Sequence, residues 1–315
     1  MSGAISWVGV DWGTSNARAY AMTSNGAVAG TRALPKGMNS LTSQDYPVVL
    51  EELIDSWRRP ADASLKVLIC GMAGSRQGWR EAPYADVATP ASHWVQHCLE
   101  IDDAPDGIQV FLLPGLKQMS PSANVMRGEE TQLRGLISQL PGYHGAVCMP
   151  GTHCKWVQVA DGEITGFTTA MTGELFDLLS TRSILRFSVT EPDEANDGSD
   201  HAGFAEAVSL IFDRPARLSG ELFAIRAGSL LNNYSAIFSR NYLSGLLIGA
   251  ELAAIFTEGV PNRPVPIVAS ASLAARYQRA LEAIGAKADI QQGDGLVVAG
   301  LTLMYNDLNK EIQSR

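Results

Sequence analysis

Apolar residues in this chain first fall in short runs and only later take helical spacing. Ile5, Trp7, Val8 and Val10 form one run, a second leads to Tyr20 and Met22, and a third extends from Ala27 to Ala33. Between the last two stands Asn25-Gly26, the dipeptide best suited to a two-residue hairpin turn, where both central positions need positive φ. From Tyr46 to Trp57 the period changes, with Val49, Leu50, Leu53, Ile54 and Trp57 on one helical face. Lys66 to Cys70 and Ile108 to Leu113 read as buried strands, and Ala91 to Leu99 as a helix. Arg127-Gly128-Glu129-Glu130-Thr131 opens a further helix, with Leu133, Leu136, Ile137 and Leu140 on its apolar face.

The series then begins again. Gly145 to Pro150 is a short apolar strand, Trp156 to Val159 a second, and Glu163 to Ala170 a third, the last two joined by the hairpin turn Asp161-Gly162. Thr172 is a reasonable N-cap for the next helix. Glu191 to Asp200 reads as an exposed acidic connection, and about 200–258 as an almost wholly helical insert. Pro266 to Ala269 returns to strand, Ser272 to Ile284 to helix, Lys287 to Ile290 to strand and Gly295 to Leu308 to helix. Two Gly-Thr pairs, at 13 and 151, lie 138 residues apart, and the hairpin glycines at 26 and 162 lie 136 apart. Near-equal offsets of two separate signals mark a duplicated unit. The expected architecture is α/β, two βββαβαβα halves at 1–142 and 143–315, which suits a chain of 315 residues.

The turns themselves suggest chemistry. Gly13 folds the backbone tightly, which frees the amide N–H groups of Thr14, Ser15 and Asn16, with two hydroxyls, to face an oxygen-rich anion. Asp11, at the carboxyl end of its strand, adds a hard oxygen ligand suited to Mg²⁺. Gly151-Thr152-His153-Cys154-Lys155 repeats the arrangement, so the pair reads as a clamp for nucleotide phosphates. The stretch from Gly71 to Tyr84 is glycine-rich yet carries Arg76, Gln77, Trp79, Arg80 and Glu81, which is the make-up of a binding loop.

Composition narrows the class. A net charge of −9 argues against nucleic-acid or membrane-surface binding, so an anionic substrate must meet local cations. There is no apolar run long enough for a membrane span, and the first residues lack the pattern of a signal peptide. Four cysteines without a CxxC pair point to a reducing, cytoplasmic setting. The oligomeric state stays open, with a homodimer as the candidate assembly.

Duplicated halves with hairpin phosphate loops resemble the actin-like (ribonuclease H-like) ATPase superfamily of sugar kinases, actin, Hsp70-type chaperones and exopolyphosphatases. Within it the chain resembles the 2-dehydro-3-deoxygalactonokinases, through VDWGTSNARAY, KGMNSL, CGMAGSRQGWREAPY, VMRGEETQLRG, PGTHCKWVQV, MTGELFDLLSTRSIL, YLSGLLIGAEL and ARYQRALEAIG. These stretches cover nearly the whole chain. Cys154 stands where that family usually has serine, and Ala73 where valine is common.

The resemblance implies ATP-dependent phosphorylation of the 6-hydroxyl of 2-dehydro-3-deoxy-D-galactonate. It assigns Asp11 to Mg²⁺, and Gly13, Thr14, Ser15, Gly151, Thr152, His153 and Lys155 to the phosphates. Ala269 and Ser270 begin the stretch that packs the adenosine. Glu129 is implied as the general base, with Glu130 the close second. Lys36 and Asn39, together with Arg76, Gln77 and Trp79, fall in regions that face the sugar. The substrate carboxylate calls for a guanidinium fork, with Arg76 and Arg127 first and Arg80 and Lys36 behind them. Alternatives are a kinase for another 2-keto-3-deoxy sugar acid, an exopolyphosphatase-like hydrolase, and a non-catalytic nucleotide-dependent assembly.

Overall fold

The computed structural model describes residues 4–58, 64–189 and 202–314. The acidic connection expected at 191–200 lies outside the described residues. The chain divides into two compact units, one of residues 1–143, 160–166 and 293–315, the other of 144–159 and 167–292.

Along the first half run β1 (Ile5–Trp12), β2 (Ala17–Thr23), β3 (Val28–Leu34), α1 (Tyr46–Ile54), β4 (Leu65–Gly71), β5 (Tyr84–Asp86), β6 (Leu99–Glu100), β7 (Ile108–Leu112), β8 (Gly115–Gln118), β9 (Asn124–Met126) and α2 (Glu129–Gln139). The second half holds β10 (Gly145–Met149), β11 (Cys154–Ala160), β12 (Glu163–Ala170), α3 (Thr172–Thr181), α4 (Ala202–Asp213), α5 (Leu218–Leu231), α6 (Ala236–Ile255), β13 (Val265–Val268), α7 (Ala271–Ala283), β14 (Ala288–Gln291) and α8 (Gly293–Ser314).

The larger sheet orders its strands β3-β2-β1-β4-β7-β6 and the other β12-β11-β10-β13-β14. Apart from the edge strand β6, each is an antiparallel three-stranded meander extended by two parallel strands, which is the actin-like topology, present twice. The first half departs from the expected pattern in one slot. Residues 91–97 form 3-10 helix rather than α-helix, and β5, β8 and β9 make a separate three-stranded sheet. That region lacks an apolar face of sufficient length to hold an α-helix, and its strands are only three or four residues long, too short for alternation to register.

β1 and β4 run parallel with Asp11 opposite Cys70, so the carboxyl ends of the two strands lie side by side. Val8, Val10, Trp12, Tyr46, Leu50, Leu53, Ile69 and Leu112 fill the core beneath them. In the other unit Cys148, Cys154, Trp156, Phe204, Leu252, Ile267 and Tyr277 form the core under β10 and β13. Leu185, Ala207, Ile211, Leu243 and Leu246 form a further cluster within the helical region.

α8 groups with the first unit although it follows the second half in sequence. It approaches α2 closely enough to bring backbone against backbone: a Cβ at Gly300 would lie 1.9 Å from the Thr131 carbonyl oxygen, and one at Gly135 2.1 Å from that of Leu296, while Arg134 of α2 pairs with Asp307 of α8. No helix among the described residues is long and apolar enough to cross a membrane.

Candidate functional site

In the first unit, β1 delivers Asp11 to its carboxyl end and the chain then turns through Gly13 to Asn16, closed by a 2.8 Å bond from the Gly13 N–H to the Asn16 carbonyl. A neighbouring turn holds this one by its carbonyls. The N–H groups of Gly37, Met38 and Asn39 donate to Ser15, Gly13 and Thr14 at 3.0, 3.1 and 3.0 Å. No hydrogen bond among the described residues takes the N–H groups of Thr14 and Ser15, and both residues are exposed. The approach is close enough to require glycine, since a Cβ at Gly37 would sit 2.4 Å from the Ser15 backbone. Ser75 Oγ lies 3.1 Å from Met38 Sδ, so the glycine-rich loop after β4 meets the same turn.

Asp11 is enclosed by this arrangement. Burial raises its pKa above the ordinary carboxylate value; the Arg18 charge opposes the rise, and Asp294 and Glu129 add to it. Cys70 Sγ lies 3.9 Å from Asp11 Oδ1. A carboxyl whose charge is disfavoured by burial and by two acids is one that a cation stabilises. Among the described residues no three His, Cys, Asp or Glu side chains gather to hold a metal by themselves. That donor set fits Mg²⁺, which is usually bound by one or two carboxylates with phosphate oxygens and water.

The start of α2 lies against the same strand end, where a Cβ on Gly128, at φ +104°, would be 3.3 Å from Gly71 Cα. The structure separates its two glutamates. Glu130 is 1% exposed, accepts the Gly128 N–H at 2.5 Å and the Thr131 hydroxyl at 3.0 Å. Burial, and then the Glu129 charge, push its pKa up to about 7. Glu129 accepts the Arg127 N–H at 3.1 Å and remains partly open to solvent. Glu130 therefore closes the helix start, and Glu129 is the more solvent-accessible acid of the pair.

The residues expected at the sugar divide. Lys36 pairs with Glu52 at 2.6 Å, Arg76 with Glu81 at 3.2 Å and Arg80 with Asp103 at 3.1 Å, all partly or largely exposed. Gln77 and Asn39 are exposed. Arg127 donates to the Ala82 carbonyl at 2.8 Å and lies over the Tyr84 ring at 4.3 Å. Trp79, expected at the sugar, is instead a core residue, 3% exposed and stacked on Tyr46 at 5.8 Å. Burial of its large ring outweighs whatever its indole N–H could offer a ligand, and that N–H has no partner among the described residues.

In the second unit the turn from Gly151 to His153 is held by a helix. The Glu174 N–H donates to the Thr152 carbonyl at 3.0 Å, and a Cβ at Gly173 would sit 2.4 Å from the Gly151 carbonyl oxygen. His153 Nε2 lies 2.6 Å from Glu174 Oε2 at the surface. Lys155 is 7% exposed and donates to the His153 carbonyl at 3.3 Å, so it belongs to the turn rather than to solvent. Cys154 is fully buried with its Sγ 3.8 Å from that of Cys148, so a serine there would not face a phosphate from this position. Thr172, expected as an N-cap, is the first helical residue; Met171 takes the cap position, and the Thr172 hydroxyl bonds the buried Glu251 carboxylate.

Beside this turn opens a cavity of about 220 Å³, whose walls include Gly151, Gly173, Phe176, Arg240, Leu273 and Tyr277. Arg240 lies over the Phe176 ring at 4.8 Å. Ala269 and Ser270 stand at the β13–α7 junction, Ser270 as the exposed N-cap residue of α7, whose first turns supply Leu273 and Tyr277 to the cavity. Glu251, Phe176, Arg240 and Tyr277 were not singled out from the sequence. The usable signal was Glu251, one acid in the otherwise uncharged run Leu243 to Ile255, since a buried charge requires partners.

The sequence model of one family, 2-keto-3-deoxy-galactonokinase, matches residues 11–304. A Rhizobium meliloti protein named as a probable 2-dehydro-3-deoxygalactonokinase is 39% identical over 96% of this chain and 97% of its own length. The Escherichia coli K12 2-dehydro-3-deoxygalactonokinase is 33% identical over 94% of this chain and 96% of its own. A crystal structure from Sinorhizobium meliloti, provisionally assigned the same activity, superposes with a TM-score of 0.87 at 38% identity, covering 95% of this chain and 98% of that one.

Proposed function

The chain belongs to the 2-keto-3-deoxy-galactonokinase family, and on that premise we propose that it transfers the γ-phosphoryl group of ATP to the 6-hydroxyl of 2-dehydro-3-deoxy-D-galactonate, a step in galactonate breakdown. The observation that carries the chemistry is the gathering, within the first unit, of Asp11, the Thr14–Ser15 turn and Glu129 around the ends of β1 and β4.

Phosphoryl transfer needs positioning and charge stabilisation more than covalent help. In this reading the N–H groups of Thr14 and Ser15 hold phosphate oxygens of ATP, and Asp11 holds Mg²⁺ directly or through water. The ion, when bound, neutralises phosphate charge and orients the transferred group. The Gly151–Thr152 turn, with Lys155 and His153, is the second unit's candidate for nucleotide phosphate oxygens. The cavity bounded by Phe176, Arg240 and Leu273 takes the adenosine, with Ala269 and Ser270 at its edge. Glu129 accepts the proton of the attacking hydroxyl, a role worth roughly 10² to 10⁴ in rate. Arg76 and Arg127 are assigned to the substrate carboxylate, with Lys36, Arg80, Asn39 and Gln77 around the sugar. Arg76 is the more available of the two cations, since its partner Glu81 is a surface carboxylate that a substrate can displace.

A cytoplasmic location and a homodimer belong to the same proposal. Support comes from the free thiols of Cys70, Cys98, Cys148 and Cys154 and from the exposed apolar side chains Phe187, Phe223, Leu230 and Leu231. Sedimentation of the purified chain checks the second point, with a single species at monomer mass opposing it. The activity itself is checked by coupled ADP release across a panel of 2-keto-3-deoxy sugar acids. Turnover that needs both ATP and the galactonate derivative is expected. Hydrolysis of polyphosphate without a sugar acid, or ATP binding without turnover on any of them, would overturn the reading.

A further inference from the structure

Glu251 is a carboxylate in the interior of the second unit, 5% exposed, on the inward face of α6. Three hydrogen bonds converge on it from three other elements. The Trp156 indole N–H of β11 donates to Oε1 at 2.6 Å, the Tyr277 hydroxyl of α7 donates to Oε2 at 3.0 Å, and the Thr172 hydroxyl at the start of α3 donates to Oε2 as well. Cys154, also on β11, faces the same carboxyl and feels its charge. The three oxygen-bound partners are neutral donors. A buried acid held in this way costs desolvation that an apolar residue of similar size would avoid, so its presence calls for a purpose besides stability.

The geometry supplies one. Thr172 and Tyr277 both line the cavity beside the Gly151 turn, and Trp156 directly follows Lys155, which bonds within that turn. Thr172 also directly precedes Gly173, the residue that packs against the Gly151 carbonyl. Glu251 is thus bonded at once to the strand leaving the phosphate turn, to the helix start that holds it, and to a helix that lines the cavity. A side chain with three fixed donors sets the relative placement of those elements to within a hydrogen-bond length.

We propose that Glu251 is a positioning residue for the nucleotide: through Trp156, Thr172 and Tyr277 it fixes the second phosphate turn and the cavity wall, without touching ATP itself. This rests on the assignment of that cavity to adenosine. Loss of Glu251 then weakens ATP while leaving the sugar acid alone, because the residues assigned to the sugar belong to the other unit.

The test compares wild type, Glu251→Gln and Glu251→Leu by steady-state kinetics in both substrates, and by ATP titration calorimetry without sugar acid. The carboxamide oxygen can still accept from Trp156, and its amide can donate to the Thr172 and Tyr277 hydroxyls, so Glu251→Gln keeps much of the network. The expected pattern is KM for ATP raised about 3-fold in Glu251→Gln and about 10-fold or more in Glu251→Leu, roughly 1.4 kcal/mol or more by the tenfold rule, with KM for the sugar acid within about 2-fold of wild type. Partial rescue by glutamine over leucine is part of the expectation. If neither variant folds, Tyr277→Phe, which removes one hydroxyl and keeps the ring, is read the same way, with about a 3-fold rise expected. Folded variants with wild-type affinity for ATP, or with both KM values raised equally, overturn the proposal. Failure of the wild-type chain itself to bind ATP would instead overturn the functional reading on which it rests.

Discussion

The two Gly-Thr turns are the same element held by different means. The first is gripped by backbone: three N–H groups of the Gly37 turn take its carbonyls, and the acid beneath it, Asp11, lies at the end of its own strand. The second is gripped by a helix start at Gly173 and, one layer deeper, by side-chain bonds to Glu251. Backbone bonds of the first kind tolerate most side-chain changes but demand glycine where chains approach. Side-chain bonds of the second kind depend on particular residues brought in from α6 and α7. The difference follows from topology, because a helical insert stands between β12 and β13 and nothing comparable follows β3. Mutations in the first turn should therefore act through chemistry and close approach, and those in the second through nucleotide affinity.

The largest expected effect tests which acid acts in the first unit. Glu129→Gln should lower kcat by roughly 10² to 10⁴ with unchanged folding, whereas Glu130→Gln should stay within about 10-fold of wild type. Equal turnover in both variants would remove the base assignment. Asp11→Asn should cost roughly 10² to 10³ in kcat, in line with removal of one charge-stabilising group, and should relieve a carboxyl whose ionised form burial disfavours, so that Tm holds or rises. A fall in Tm would mean that Asp11 is structural.

Close approach is the next largest. Gly37→Ala and Gly173→Ala each place a Cβ 2.4 Å from backbone, and each should destabilise by about 1–3 kcal/mol in denaturant melts. Activity separates them: Gly37→Ala should act on kcat, and Gly173→Ala mainly on KM for ATP. The same kinetic pattern in both would erase the contrast between the turns.

The pH dependence of stability is smaller and isolates Glu130. Its pKa rises from 4.5 to about 7 on folding, so between those values the folded chain keeps a proton that the unfolded chain releases. Stability from this group therefore falls as pH rises through the window, and is level below and above it. Thermal melts of Glu130→Gln should show a flatter profile from pH 5 to 7.5 than wild type. The smallest effect on stability is that of His153→Ala, read in thermal melts, since a half-exposed pair with Glu174 contributes at most about 1 kcal/mol.

Much of this was legible because the signals are local. Strand runs, hairpin dipeptides and Gly-Thr turns involve neighbours in sequence, and their repetition at offsets of 138 and 136 residues exposed the duplication without any contact being known. Both sheets then follow the same meander-plus-two-parallel order. Trp79 escaped because a tryptophan in a polar, glycine-rich loop has the same sequence neighbours whether it meets a ligand or the core, and only its stacking on Tyr46 decides. Arg76 and Lys36 were legible as cations, but their pairing with Glu81 and Glu52 depends on side-chain reach.

The amino-acid order alone determined that there are two Gly-Thr turns, an acid before the first of them, and a glutamate pair at a helix start, since each is encoded within about a dozen consecutive residues. Tertiary structure alone decided which glutamate is open, what holds each turn, and that Glu251 joins three elements. Glu130 is sealed by packing around α2, and Glu251 meets Trp156, 95 positions earlier, Thr172, 79 earlier, and Tyr277, 26 later. Such separations carry no periodic or neighbour signal, because the bonds exist only once the intervening chain has folded and brought the donors within hydrogen-bond distance.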